Sequence, residues 1–135
     1  MLLLIGIDWS QDHHNVCVLN SQGAILLRFQ FPHSLQGFTQ LLDHLAPLGV
    51  PPDHCLIAIE THHSLLVDFL CTQGFQVFVI APSIVYSSRG RYTSSGACND
   101  DHAAFILADL LRTDRHRFTP WKPDGDLIIQ MRAQL

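Results

Sequence analysis

The chain has 135 residues, of which 47% are hydrophobic and 15% charged, with a net charge of −4. This is enough for one domain with a real core, and so few charges mean that much of the chain is buried or meets a partner. No stretch approaches the roughly 18 uninterrupted apolar residues of a membrane span, and the leading Met1–Ile7 run lacks the basic flank of a signal peptide and ends in an acid.

Three strand-like runs come first, over 2–9, 14–20 and 24–31, with Ser21-Gln22-Gly23 making the second and third a hairpin. The first run is apolar on both faces, as expected of a central strand covered on both sides. A helix follows from Ser34, its N-cap, with Phe38, Leu41, Leu42 and Leu45 at helical spacing, and Gly49-Val50-Pro51-Pro52 ends it. Next come a strand over 54–60, a helix over 64–73 closed by Gly74, and a strand over 76–80. The serine-, glycine- and arginine-rich stretch from Pro82 to Gly96 reads as a short helix and a mobile loop. A further helix runs from Asn99 or Asp100 to Arg112. Residues 116–125 read as a linker and 126–135 as a helix that stops, so the chain is expected to be a fragment. There is no internal repeat.

The element pattern βββαβαβα is that of an α/β, ribonuclease-H-like mixed sheet with a three-strand meander. A simple doubly wound fold does not begin with a meander, and neither GxGxxG nor GxxxxGK[ST] is present. The four cysteines, Cys17, Cys55, Cys71 and Cys98, show no CxxC spacing and read as reduced, mostly buried thiols in a cytoplasmic protein.

Asp8 and Glu60, the only glutamate, each end an apolar strand. An ionised carboxylate is costly there unless a metal or a partner compensates it. Asp100 heads the last clear helix, and positions 100, 104, 107 and 111 share one face, so Asp100 turns towards the sheet. Taken singly, each acid has an ordinary explanation, and Asp100 alone would be a helix cap. The element order makes the first and fourth strands neighbours and lays a late helix across their ends, so the three acids meet. Such hard oxygen donors select Mg²⁺ or Mn²⁺, and two ions about 4 Å apart serve in-line phosphodiester displacement.

Basic residues are distributed unevenly. Residues 1–88 carry Arg28 alone against six acids, whereas Arg89, Arg91, Arg112, Arg115, Arg117, Lys122 and Arg132 lie in the remainder. A polyanion would therefore meet the second half. Arg89 and Arg91, in a serine- and glycine-rich loop, suit phosphate contact. His62 and His63 follow Glu60 and read as solvated, and His13 and His14 have no companion at ligand spacing. Trp9 reads as core, and Trp121 as packing back on the domain.

The chain resembles the amino-terminal domain of DEDD transposases, the insertion-sequence one-ten family that includes pilin-gene-inverting recombinases. The resemblance spans the whole chain. It rests on Gly6-Ile7-Asp8-Trp9-Ser10, Ile59-Glu60-Thr61, Ser88-Arg89-Gly90-Arg91, Ser95-Gly96-Ala97, Asn99-Asp100, the run from Ala104 to Arg117, and Pro120-Trp121. It implies a RuvC-like catalytic domain over 1–115, followed at 116–135 by a linker and the start of a helix leading to a further domain that carries a serine nucleophile. It also implies DNA and a structured guide RNA as partners, a homo-oligomer in the full-length protein, and four metal-binding acids. Asp8, Glu60 and Asp100 match the first three. The fourth belongs three residues after the third, where Ala103 stands. Asp101 points about 100° away from Asp100 on the helix and is a poor substitute. The expected protein is therefore a transposase or recombinase domain impaired by Ala103. The alternatives are a stand-alone junction-resolvase-like nuclease, a non-catalytic nucleic-acid-binding module, and an actin-like nucleotide binder, the last lacking its second phosphate loop.

Overall fold

Leu3–Ser10 forms the central strand, β1, because both of its faces are apolar and both are covered. It pairs antiparallel with β2 (His13–Leu19), which pairs antiparallel with β3 (Ile25–Pro32). On its other side β1 pairs parallel with β4 (Cys55–Ile59), and β4 pairs parallel with β5 (Gln76–Val79). The sheet order is β3-β2-β1-β4-β5, the mixed α/β arrangement with a meander expected from the sequence. The computed structural model describes residues 1–10, 12–60, 64–91 and 102–121. Asp100, Asp101, His62, His63, Cys98 and the terminal helix expected over 126–135 lie outside them.

The helices are α1 (Leu35–Leu45), α2 (Ser64–Thr72), α3 (Pro82–Ser88) and α4 (His102–Asp114). Ser34 caps α1 as expected, its Oγ accepting the Gly37 N–H at 3.0 Å. Gly74, at φ 94°, closes α2 while the Phe75 N–H returns to the Leu70 carbonyl. One sheet face packs Leu3, Ile5 and Ile7 against α1 and α2 through Phe38, Leu41, Leu66 and Leu70. The other packs Leu4, Cys17, Leu56 and Ala58 against α4 through Ala104, Leu107 and Leu111. Each fully buried Leu, Ile or Phe contributes about 1.5–3 kcal/mol of transfer free energy, so the two faces carry most of the stability.

Gly6 sets how closely α4 lies on the sheet. A Cβ there would stand 2.8 Å from the Ala108 nitrogen and inside contact with the Ala104 carbonyl. Only hydrogen fits between β1 and the backbone of α4.

The structure corrects the reading of Trp9 as core. The residue is 36% exposed, and its ring meets His14 and His33 edge-on at 4.6 and 4.9 Å between centroids. Its strand face is the covered one, but the cover stops one residue pair short of it. Trp121 does pack back: it lies against the α1/α2 side of the core, and its backbone N–H donates to the Val77 carbonyl at 2.6 Å. Cys17 and Cys55 are buried free thiols, whereas Cys71 is only half-buried.

Candidate carboxylate site at the strand ends

Strand alternation fixes where the acids point. Gly6 faces α4, so Asp8, two residues on, shares that face. Gly6 pairs with Ala58 and Ile7 with Ile59, so Glu60 is next in register beside Asp8. Adjacent strands lie about 4.8 Å apart. Both side chains are half-buried at the carboxyl ends of neighbouring parallel strands, the usual ligand edge of an open α/β sheet. Two unit charges about 5 Å apart repel by about 3 kcal/mol at an effective dielectric near 20, so the pair gains from a cation between them.

The polarity of α4 follows from two contacts. Its Ala104 lies over Gly6, and Arg112 lies beside Gly23 in the turn between β2 and β3, at the far end of the sheet. The helix therefore starts at the edge that holds Asp8 and Glu60. Ala103 is in its first turn and 6% exposed, where it presents a methyl group and no oxygen. Asp100, three residues earlier, lies outside the described residues. Among those residues no group of three His, Cys, Asp or Glu side chains is placed to hold a metal. Hard carboxylate oxygens of this kind suit Mg²⁺ or Mn²⁺, and two of the three expected donors are in adjoining positions.

The arginines separate into two places. Arg89, half-buried, and Arg91 form a 3-10 turn after α3, which leaves the carboxyl end of β5, the same edge as the acids. Arg112 lies about 14 Å from Ala103 along α4. Its Nε donates to the buried Asp109 carboxylate at 2.6 Å. Arg115 and Arg117 are exposed beyond it, and Arg117 Nη1 donates to Asp114 at 3.2 Å.

His14 does have a companion, which its sequence spacing does not reveal. Its ring is 1% exposed, stacks on Phe31, and has Nε2 2.9 Å from His33 Nδ1. The signal in the sequence is only the histidine after the third strand; the β2–β3 register makes the meeting. His13 hydrogen-bonds the exposed Asp12, which holds that carboxyl below its ordinary range. Asn15 and Gln30 were not singled out from the sequence. They continue the Asp8 row across β2 and β3, with Gln30 Nε2 donating to Asn15 Oδ1 at 2.8 Å.

Residues 5–134 match the family model for transposases of the DEDD IS110 type. The chain is 35% identical over 128 residues to the candidate mini-circle transposase for IS117 of Streptomyces coelicolor, covering 94% of this chain and 31% of that protein. It is 30% identical over 129 residues to the candidate transposase y4uE of Sinorhizobium fredii, covering 94% and 36%. It thus spans about a third of the length of these curated relatives. T. thermophilus RuvC, solved in complex with a Holliday junction substrate, shares the fold: the TM-score is 0.58 at 14% identity, covering 90% of this chain and 100% of that one.

Proposed function

The chain belongs to the DEDD transposase family of the IS110 type, and from that premise we propose that it is a RuvC-like catalytic domain acting on DNA phosphodiesters, with its metal site weakened at Ala103. The observation that carries the proposal is the β1–β4 register, whose last pair, Ile7 with Ile59, sets Asp8 and Glu60 one position further on, on the face that α4 crosses. Asp8 and Glu60 hold a divalent cation, joined by Asp100 on the approach to α4. The cation supplies charge neutralisation at the phosphate and activation of the attacking oxygen. The two carboxylates orient that charge, and the half-buried strand ends limit competing water.

Ala103 supplies no ligand to this site. A methyl group stands where the family pattern has its fourth acid, so the second cation is held poorly and DNA cleavage is slow or absent. The missing acid also supports a second reading, a module that binds nucleic acid without cutting it. A guide RNA and self-association, implied by the family resemblance, and a cytoplasmic location, read from the cysteines, are proposed for the whole protein. No helix among the described residues is long and apolar enough to cross a membrane.

Calorimetric titration of Mn²⁺ into the chain and into Ala103→Asp tests the assignment. The variant is expected to bind at least about tenfold more tightly, about 1.4 kcal/mol, and Asp8→Asn to abolish the heat. Equal affinity of Ala103→Asp and the unaltered chain would refute the role given to this position.

A further inference from the structure

Arg28 is the only basic side chain among residues 1–88, and that span carries six acids. It is exposed on β3, the edge strand, and makes no hydrogen bond or ion pair with any described residue. An edge cation often serves only to discourage strand pairing, but this one has particular surroundings. Arg28 pairs with Cys17 and Gln30 with Asn15, so Arg28 and Gln30 lie on the α4 face of the sheet, the face of Asp8. α4 covers β1 and β2 but leaves β3 open. Between helix and strand lies a cavity of about 180 Å³, lined by Asn15, Cys17, Arg28, Gln30 and Ala104 among others.

The cavity is built around a polar floor. Asn15 is 4% exposed, and one end of its amide is held by Gln30. Whichever way the amide is turned, its other end has no partner among the described residues. A buried amide of this kind requires a ligand or water. Asn15 also sits directly opposite Asp8 in the β1–β2 register. Acid, amide, amide therefore run in one row from the carboxylate pair to the sheet edge, with Arg28 flanking the row.

We propose that this groove is a DNA backbone subsite, in which the Arg28 guanidinium takes a phosphate and the Asn15–Gln30 pair takes an adjoining phosphate or sugar oxygen. The proposal rests on the reading of Asp8 and Glu60 as a phosphodiester site and adds where the strand runs as it leaves them. Gln30 lies about 10 Å across two strands from Asp8, and Arg28 about 7 Å further along β3. That places Arg28 about 12 Å from Asp8, a separation that one DNA strand spans within about two phosphates. Guanidinium and phosphate match in charge and in bidentate geometry. The contact carries no sequence information and sets register and orientation only.

The test is fluorescence anisotropy of the full chain with a labelled DNA duplex across a potassium chloride series, alongside Arg28→Gln, Arg28→Lys and an RNA strand. Arg28→Gln is expected to weaken DNA binding about tenfold at low salt and to lower the slope of log K against log salt by about 0.9, one phosphate contact. Arg28→Lys is expected to keep the slope, because the charge remains. Equal slopes for Arg28→Gln and the unaltered chain overturn this subsite while leaving the carboxylate reading intact, since the loss of manganese heat in Asp8→Asn is read separately. Failure of the unaltered chain to bind DNA overturns both. Arg28-dependent binding of RNA but not DNA overturns the choice of DNA.

Discussion

Replacing Gly6 with alanine adds one methyl group at the tightest contact between sheet and helix. The new Cβ would lie well inside contact with the Ala104 carbonyl oxygen and 2.8 Å from the Ala108 nitrogen, both backbone atoms that no rotamer change can move aside. Ordinary Cβ contacts begin near 3.4 Å, so α4 must retreat by more than about an ångström along its contact with β1. Overpacking of this kind costs about 1–3 kcal/mol. For a domain of this size that is about 4–12 °C in Tm. The retreat also loosens Ala104, Leu107 and Leu111 against the sheet and moves the first turn of α4 away from Asp8 and Glu60. A thermal melt followed by circular dichroism, with Gly90→Ala as control, checks the reasoning. A Cβ at Gly90 meets nothing within 4 Å among the described residues, so that variant is expected to melt within about 0.5 kcal/mol of the unaltered chain. If Gly6→Ala melts with the control, the close approach of α4 is not what holds the layers together.

Two further outcomes follow from local structure. Ser34→Ala removes the side-chain oxygen that accepts the Gly37 N–H and is expected to destabilise the chain by about 1 kcal/mol, with Ser34→Asp largely restoring it, both read from denaturant midpoints. The Cys55 thiol is pushed up to about 11, first by burial and then by the charge of Asp53. Thiolate is therefore scarce below that pH, and Cys55 is expected to resist iodoacetamide at pH 8 in the folded chain while half-buried Cys71 is modified first; peptide mapping of the alkylated protein distinguishes them.

Much of the architecture was legible because it is local. Apolar runs of strand length, the Ser34 cap, and Gly74 after the second helix each encode an element by period or by backbone freedom, and the described elements follow them. The adjacency of the first and fourth strands was also legible, since few topologies accommodate a meander followed by βαβ units. The gap at Ala103 is likewise a matter of sequence alone, because it is a departure from a family spacing.

What the sequence did not disclose depends on where cover begins and ends. Strand alternation assigns Trp9 to a buried face, but only the packed molecule shows that α1 and α2 stop short of it. His14 and His33 are 19 residues apart and meet only through the β2–β3 register. Arg28, one charge on a strand, acquires a groove because α4 covers β1 and β2 and not β3. Periodicity determines which way each side chain points, since that is a property of the local backbone. Only the tertiary structure decides what lies opposite, because the partner comes from a distant segment whose position is set by packing, as Gly6 sets the position of α4.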